Sequence, residues 1–161
     1  MTLEQLFAGR QVDWGEVMNR LKQAAREAGL PFSDRKMTYH TRLAQELGKW
    51  AESQGREEEF SRAVFRAYFV NGANLGKIQE LIPIVESIGL SGEEARKVLE
   101  EKRFKEAVDS DWDRSRQLGI QAVPTFLLND SILVGAQPYE QLVKFVETGQ
   151  VRKRDLGDQG L

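Results

Sequence analysis

The segment from Thr125 to Gly135 limits what this chain can become, because it is the only strand-forming region in a chain of otherwise helical patterns. Thr125–Leu128 is a short run that is apolar on both faces, and Ser131–Gly135 runs back with the same character. Between them Asn129-Asp130 is a turn pair that tolerates positive φ. The pattern predicts a β-hairpin whose strands are buried front and back. Pro124 removes a backbone donor where the first strand begins, a position that accepts proline. Two strands alone are marginal in water. Strands apolar on both faces belong inside a layered sheet with helices on each side. Further strands are therefore expected from a neighbouring chain or from a segment outside these residues.

The 161 residues are long enough for one domain with a real core. A net charge of −2 offers no basic field for nucleic acid, so that class of partner is not expected. No apolar run approaches membrane-spanning length, so no membrane partner is expected either. Met1-Thr2-Leu3-Glu4-Gln5 lacks the basic and apolar regions of a signal peptide, and a cytoplasmic location is expected. There is no cysteine, which excludes disulfides, thiolate metal sites and thiol catalysis within these residues. No cofactor and no metal are expected.

The remaining pattern is a succession of helices. Thr2–Phe7 suits one helical turn, and Gly9-Arg10-Gln11 a polar link. Asp13 is a good N-cap for a helix from Trp14, with Val17, Leu21, Ala24, Ala25 and Ala28 on its apolar face and Gly29 at its end. Leu43, Leu47, Trp50 and Ala51 mark a second helix, stopped by Gly55. Glu57–Val70 is a third, with Phe60, Val64, Ala67 and Tyr68 at helical spacing. Leu81, Ile82, Val85 and Ile88 mark a fourth, in which Pro83 requires a start shortly before it or a kink. Ser91 and Glu94 form a capping box for a fifth carrying Ala95, Val98 and Leu99. From about Arg103 another carries Ala107, Val108, Trp112, Ser115 and Leu118, ending at Gly119. Pro138 fits the first turn of a final helix with Leu142, Phe145 and Val146 on its apolar face.

Val123-Pro124-Thr125-Phe126, the hairpin, and then Val134-Gly135-Ala136-Gln137-Pro138 resemble the C-terminal half of DsbA-like thioredoxin-fold proteins. The similarity points to the FrnE-like branch, near the 2-hydroxychromene-2-carboxylate isomerases. Upstream, Thr41-Arg42-Leu43-Ala44, Ala63–Phe69 and Phe104–Val108 resemble the helical insertion of that family. The resemblance implies an incomplete α/β thioredoxin-like fold. A mostly helical insertion region over 1–118 precedes a β-β-α C-terminal thioredoxin half over 119–149, and a flexible tail spans 150–161.

By the same resemblance Pro124 is a cis proline, and Val123, Pro124 and Thr125 bind a peptide or thiol substrate. The family's opening strand, its Cys-x-x-Cys at a helix N-terminus and its second strand have no counterpart here. The chain reads as a truncated family member, a protein disulfide oxidoreductase by kinship but expected to be redox-inactive by itself. Two alternatives stand beside this reading. One is a non-catalytic binding module, forming a homodimer through the hairpin edge or completed by the missing N-terminal segment. The other is a relative of the glutathione-dependent isomerases, whose chemistry resides in that same segment.

Other features suggest no chemistry. His40, the one histidine, lacks partners for a base or metal role and suits a helix cap or the surface. Gly72–Ile78 has the wrong glycine spacing for a phosphate loop and follows a helix. Arg56-Glu57-Glu58-Glu59 suits a solvated first turn. Trp14, Trp50 and Trp112 suit core packing.

Overall fold

The computed structural model describes residues 1–6, 13–34 and 36–149. The polar link at Gly9–Gln11, the end of the first predicted turn at Phe7 and the tail from 150 to 161 lie outside the described residues. The described elements run α1 (Leu3–Leu6), α2 (Trp14–Glu27), α3 (Arg42–Ser53), α4 (Glu57–Phe69), α5 (Ile78–Ser87), α6 (Gly92–Glu100), α7 (Lys105–Gln117), β1 (Thr125–Leu128), β2 (Ser131–Val134) and α8 (Tyr139–Thr148). The chain divides into two compact units, Met1–Asp111 and Trp112–Leu161.

In the first unit, α3, α4, α5 and α6 pack in a ring, each against the next and α6 back against α3. Leu47 of α3, Leu81 and Val85 of α5 and Val98 of α6 are fully enclosed at its centre. Trp50, Phe60, Ala67, Ala95 and Leu99 complete the core around them. Removing each such aliphatic side chain from water contributes about 1.5–3 kcal/mol, which is why the apolar stripes of these four helices turn inward.

The helix ends follow local chemistry. Asp13 accepts a hydrogen bond from the Glu16 amide at 3.1 Å, and Ser91 Oγ accepts one from the Glu94 amide at 3.2 Å. The second half of the predicted capping box is not formed. Glu94 instead receives Arg103, which also binds Glu101, because a guanidinium offers a carboxylate more than one amide does. Gly29, Gly55, Gly89 and Gly119 end their helices with positive φ, between +66° and +80°. Pro83 falls in the middle of α5, which starts at Ile78.

The apolar face of α2 differs from the expected one. Met18 is the buried residue, while Leu21 is 44% exposed and Ala24 and Ala28 lie on the surface. Trp14, Val17, Lys22 and Ala25 are half-buried beside Met18, so the covered face overlaps the expected stripe at Val17 and Ala25 and is turned away from Leu21. A pairing the sequence does not signal joins the N-terminus to the segment before α3. Thr2 bridges Met37, with Leu3 N–H donating to Lys36 O and Thr38 N–H to Met1 O, each at 3.0 Å.

In the second unit β1 and β2 pair antiparallel, Thr125 with Val134, Phe126 with Leu133, Leu127 with Ile132 and Leu128 with Ser131. Asn129 takes the left-handed turn position at φ 52°, and its side-chain amide donates to Gly149 O at 2.9 Å. The hairpin is not buried front and back within the described residues. Leu127, Ile132 and Val134 share one face and are 42%, 50% and 49% exposed. The reason is physical: a two-stranded sheet has two faces and two edges, and no described strand covers either edge. On α8, Leu142, Val143 and Phe145 are half-buried and Val146 is exposed.

Candidate functional site

The residues singled out in the sequence stand together at the open end of the hairpin. The Val123–Pro124 peptide bond is cis. Pro124 has no N–H to give the ladder, but its carbonyl accepts from Gly135 N–H at 2.8 Å and extends the pairing one step beyond Thr125–Val134. Thr125 Oγ1 donates to Ala122 O at 2.6 Å, tying the preceding loop to the strand. Gln137 Nε2 donates to Val134 O at 2.7 Å and holds the other strand where the chain leaves it, beside Gly135 at φ +90°.

Val123 is fixed on its C-terminal side by these bonds, yet its own side chain is 89% exposed. Among the described residues neither its N–H nor its C=O has a hydrogen-bond partner. A free donor and a free acceptor on one exposed residue are what a passing peptide strand can pair with. Val123, Pro124 and Thr125 carry no titratable group, so the arrangement can hold and orient but cannot move a proton.

No group of acidic or histidine side chains among the described residues is arranged to hold a metal. His40 is exposed, and its Nδ1 accepts from the Arg42 amide at 3.4 Å, at the start of α3. Trp50 is buried, whereas Trp112 is 39% exposed and only partly a core residue.

Sequence reading passed over the most connected polar group of the helical unit. Arg42 opens α3 and binds Glu46 at 2.9 Å, Asp109 at 2.6 Å and Lys105 O at 2.7 Å, so one guanidinium joins α3 to α7. Lys49, two turns on, repeats the link to Asp111 at 2.9 Å. The Arg42 guanidinium, helped by Lys105, holds the Asp109 carboxyl down at about 2. The Arg42–Glu46 spacing was a usable signal, but the α7 partners lie too far along the chain to be read.

Three kinds of comparison bear on this arrangement. A profile of the DSBA-like thioredoxin domain matches residues 9–147. The chain belongs to that family. The crystal structure of a probable DsbA oxidoreductase from Streptomyces coelicolor superposes with a TM-score of 0.82 at 24% identity, covering 95% of this chain and 69% of that one. A candidate protein disulfide isomerase from Nitrosomonas europaea superposes with a TM-score of 0.66 at 16% identity, covering 85% and 74%. These likenesses establish the thioredoxin-like DsbA fold, here mostly helical. The uncharacterized protein YwbO of Bacillus subtilis is 28% identical over 115 residues, 71% of this chain. The chain spans only 58% of the length of that relative.

No described helix of this family member is long and apolar enough to cross a membrane.

Proposed function

We propose that this DsbA-like chain presents the substrate-holding platform of a thiol–disulfide oxidoreductase of the FrnE-like branch, and that these 161 residues perform no redox turnover alone. Disulfide exchange needs a thiolate to attack a sulfur, and the chain has no cysteine to supply one. Val123, Pro124 and Thr125 would hold an extended peptide or a thiol-bearing substrate. The observation that carries this reading is the exposed Val123, with its N–H and C=O unpaired among the described residues beside an anchored strand.

The test is an NMR titration with an extended peptide containing a blocked cysteine. The Val123 and Thr125 amides should shift while those of Leu81 and Val85, in the helical core, stay put. Shifts confined to other residues would remove the platform reading. Insulin reduction by this polypeptide alone would remove the claim of inactivity.

A second reading has its own support. Leu127, Ile132 and Val134 form an exposed apolar face on a sheet with unpaired edges among the described residues. Exposed edges of this kind recruit strands. The recruited strands would come from a second copy, making a homodimer through the hairpin edge, or from an N-terminal segment of a longer chain. Sedimentation at micromolar concentration separates these, since a strict monomer contradicts the dimer.

A further inference from the structure

The helical unit carries an apolar cavity that the hairpin reading does not use. It has a volume of about 510 Å³ and lies between the end of α2, the Leu30-Pro31-Phe32 segment and the last turns of α4. Ligand sites typically span roughly 300–1,000 Å³, so it can take a small molecule. Its wall is an aromatic stack, with Phe32 and Phe65 each 6.1 Å from Phe69 between ring centroids. The stack is open to solvent on one side, where Phe65 is 62% and Leu30 63% exposed. Exposed apolar groups this large and this close together mark a binding surface more often than a bare one.

The charge at the rim narrows the occupant. Among the described residues, the charged ones lining the cavity are Arg62 and Arg66, and none of them is acidic. Arg62 is engaged by Glu58. The Arg66 guanidinium has no ion-pair or hydrogen-bond partner among the described residues. An unpaired cation at the mouth of an apolar slot, in a chain of net charge −2, complements an apolar chain with an anionic head.

We propose that this cavity binds a monomeric medium-chain carboxylate, with its alkyl chain along Phe32, Phe65 and Phe69 and its carboxylate on Arg66. The proposal rests on the helical unit alone and stands whether or not Val123 holds a peptide.

The test uses sodium decanoate as the probe and 1-decanol as its uncharged counterpart, followed by NMR shifts of the α4 amides. Decanoate should bind saturably, with a dissociation constant of about 100 µM or tighter, as its size permits. Arg66→Gln should weaken decanoate about tenfold, the effect of losing one charged hydrogen-bond partner, and leave decanol unchanged. Phe65→Ser, at an exposed position that does not threaten folding, should weaken both. Absence of saturable decanoate binding below about 1 mM overturns the proposal. Equal binding to Arg66→Gln or to Phe65→Ser overturns it as well. Self-association abolished by Phe65→Ser would assign the face to a second copy and overturn it too.

Discussion

Arg42 reaches Asp109 at 2.6 Å, joining the first residue of α3 to the middle of α7, while its Nε holds the buried Glu46 on its own helix at 2.9 Å. This contact ties the opening turns of α7 to the four-helix ring. It also gives the fold a defined response to acid.

Asp109 has its carboxyl lowered from 3.8 to about 2 by the Arg42 hydrogen bond, with Lys105 adding to it. A depressed carboxyl contributes stability above its unfolded value and loses it as pH falls toward the folded one. The contribution should therefore be complete above about pH 4 and fade between about pH 4 and pH 2. Urea denaturation at a series of pH values should show this slope in the wild type and a flatter one in Asp109→Asn. An unchanged slope would mean that other carboxyls dominate the acid response.

Leu47 and Leu127 should respond very unequally to truncation, although both are leucines in regular structure. Leu47 is fully buried in the ring, and Leu47→Ala should destabilise by about 2–5 kcal/mol. Leu127 is 42% exposed, and Leu127→Ser should change stability by no more than about 0.5 kcal/mol in the isolated chain. Denaturation midpoints decide it. A large loss at Leu127 would show that its face is covered in solution.

Ser91→Ala should cost about 1 kcal/mol by removing the acceptor for the Glu94 amide. Glu94→Ala should cost less, because its carboxylate pairs with Arg103 at the surface and does not return to the Ser91 amide. Equal losses would restore the full capping box.

Two glycines should answer alanine with opposite signs. At Gly92 a Cβ would lie 2.7 Å from Ile82 Cγ2, so Gly92→Ala should destabilise by about 1–3 kcal/mol through overpacking. At Gly48, inside α3, the nearest atom is Phe60 Cε1 at 3.8 Å. Gly48→Ala should there stabilise by about 0.5–1 kcal/mol by reducing the freedom of the unfolded chain. Thermal melts of the two variants check both signs.

What the sequence by itself determined was local: the order of the helices, their starts at Asp13 and Ser91, their stops at Gly29, Gly55 and Gly89, and the hairpin turn at Asn129-Asp130. Each depends on groups within a few residues of one another, so chain spacing alone places them. Pro124 at the entry to the first strand was legible for the same reason, whereas its grouping with Val123 and Thr125 came from the family resemblance.

Only the tertiary structure decided which surfaces are covered. It buried Met18 and left Leu21 out, and it left Leu127, Ile132 and Val134 open where their apolar character called for layers on both sides. It brought Arg42 to the carbonyl of Lys105, 63 residues away. Burial and long-range pairing depend on which elements meet, and hydrophobicity along the chain shows that a face needs covering without showing what covers it.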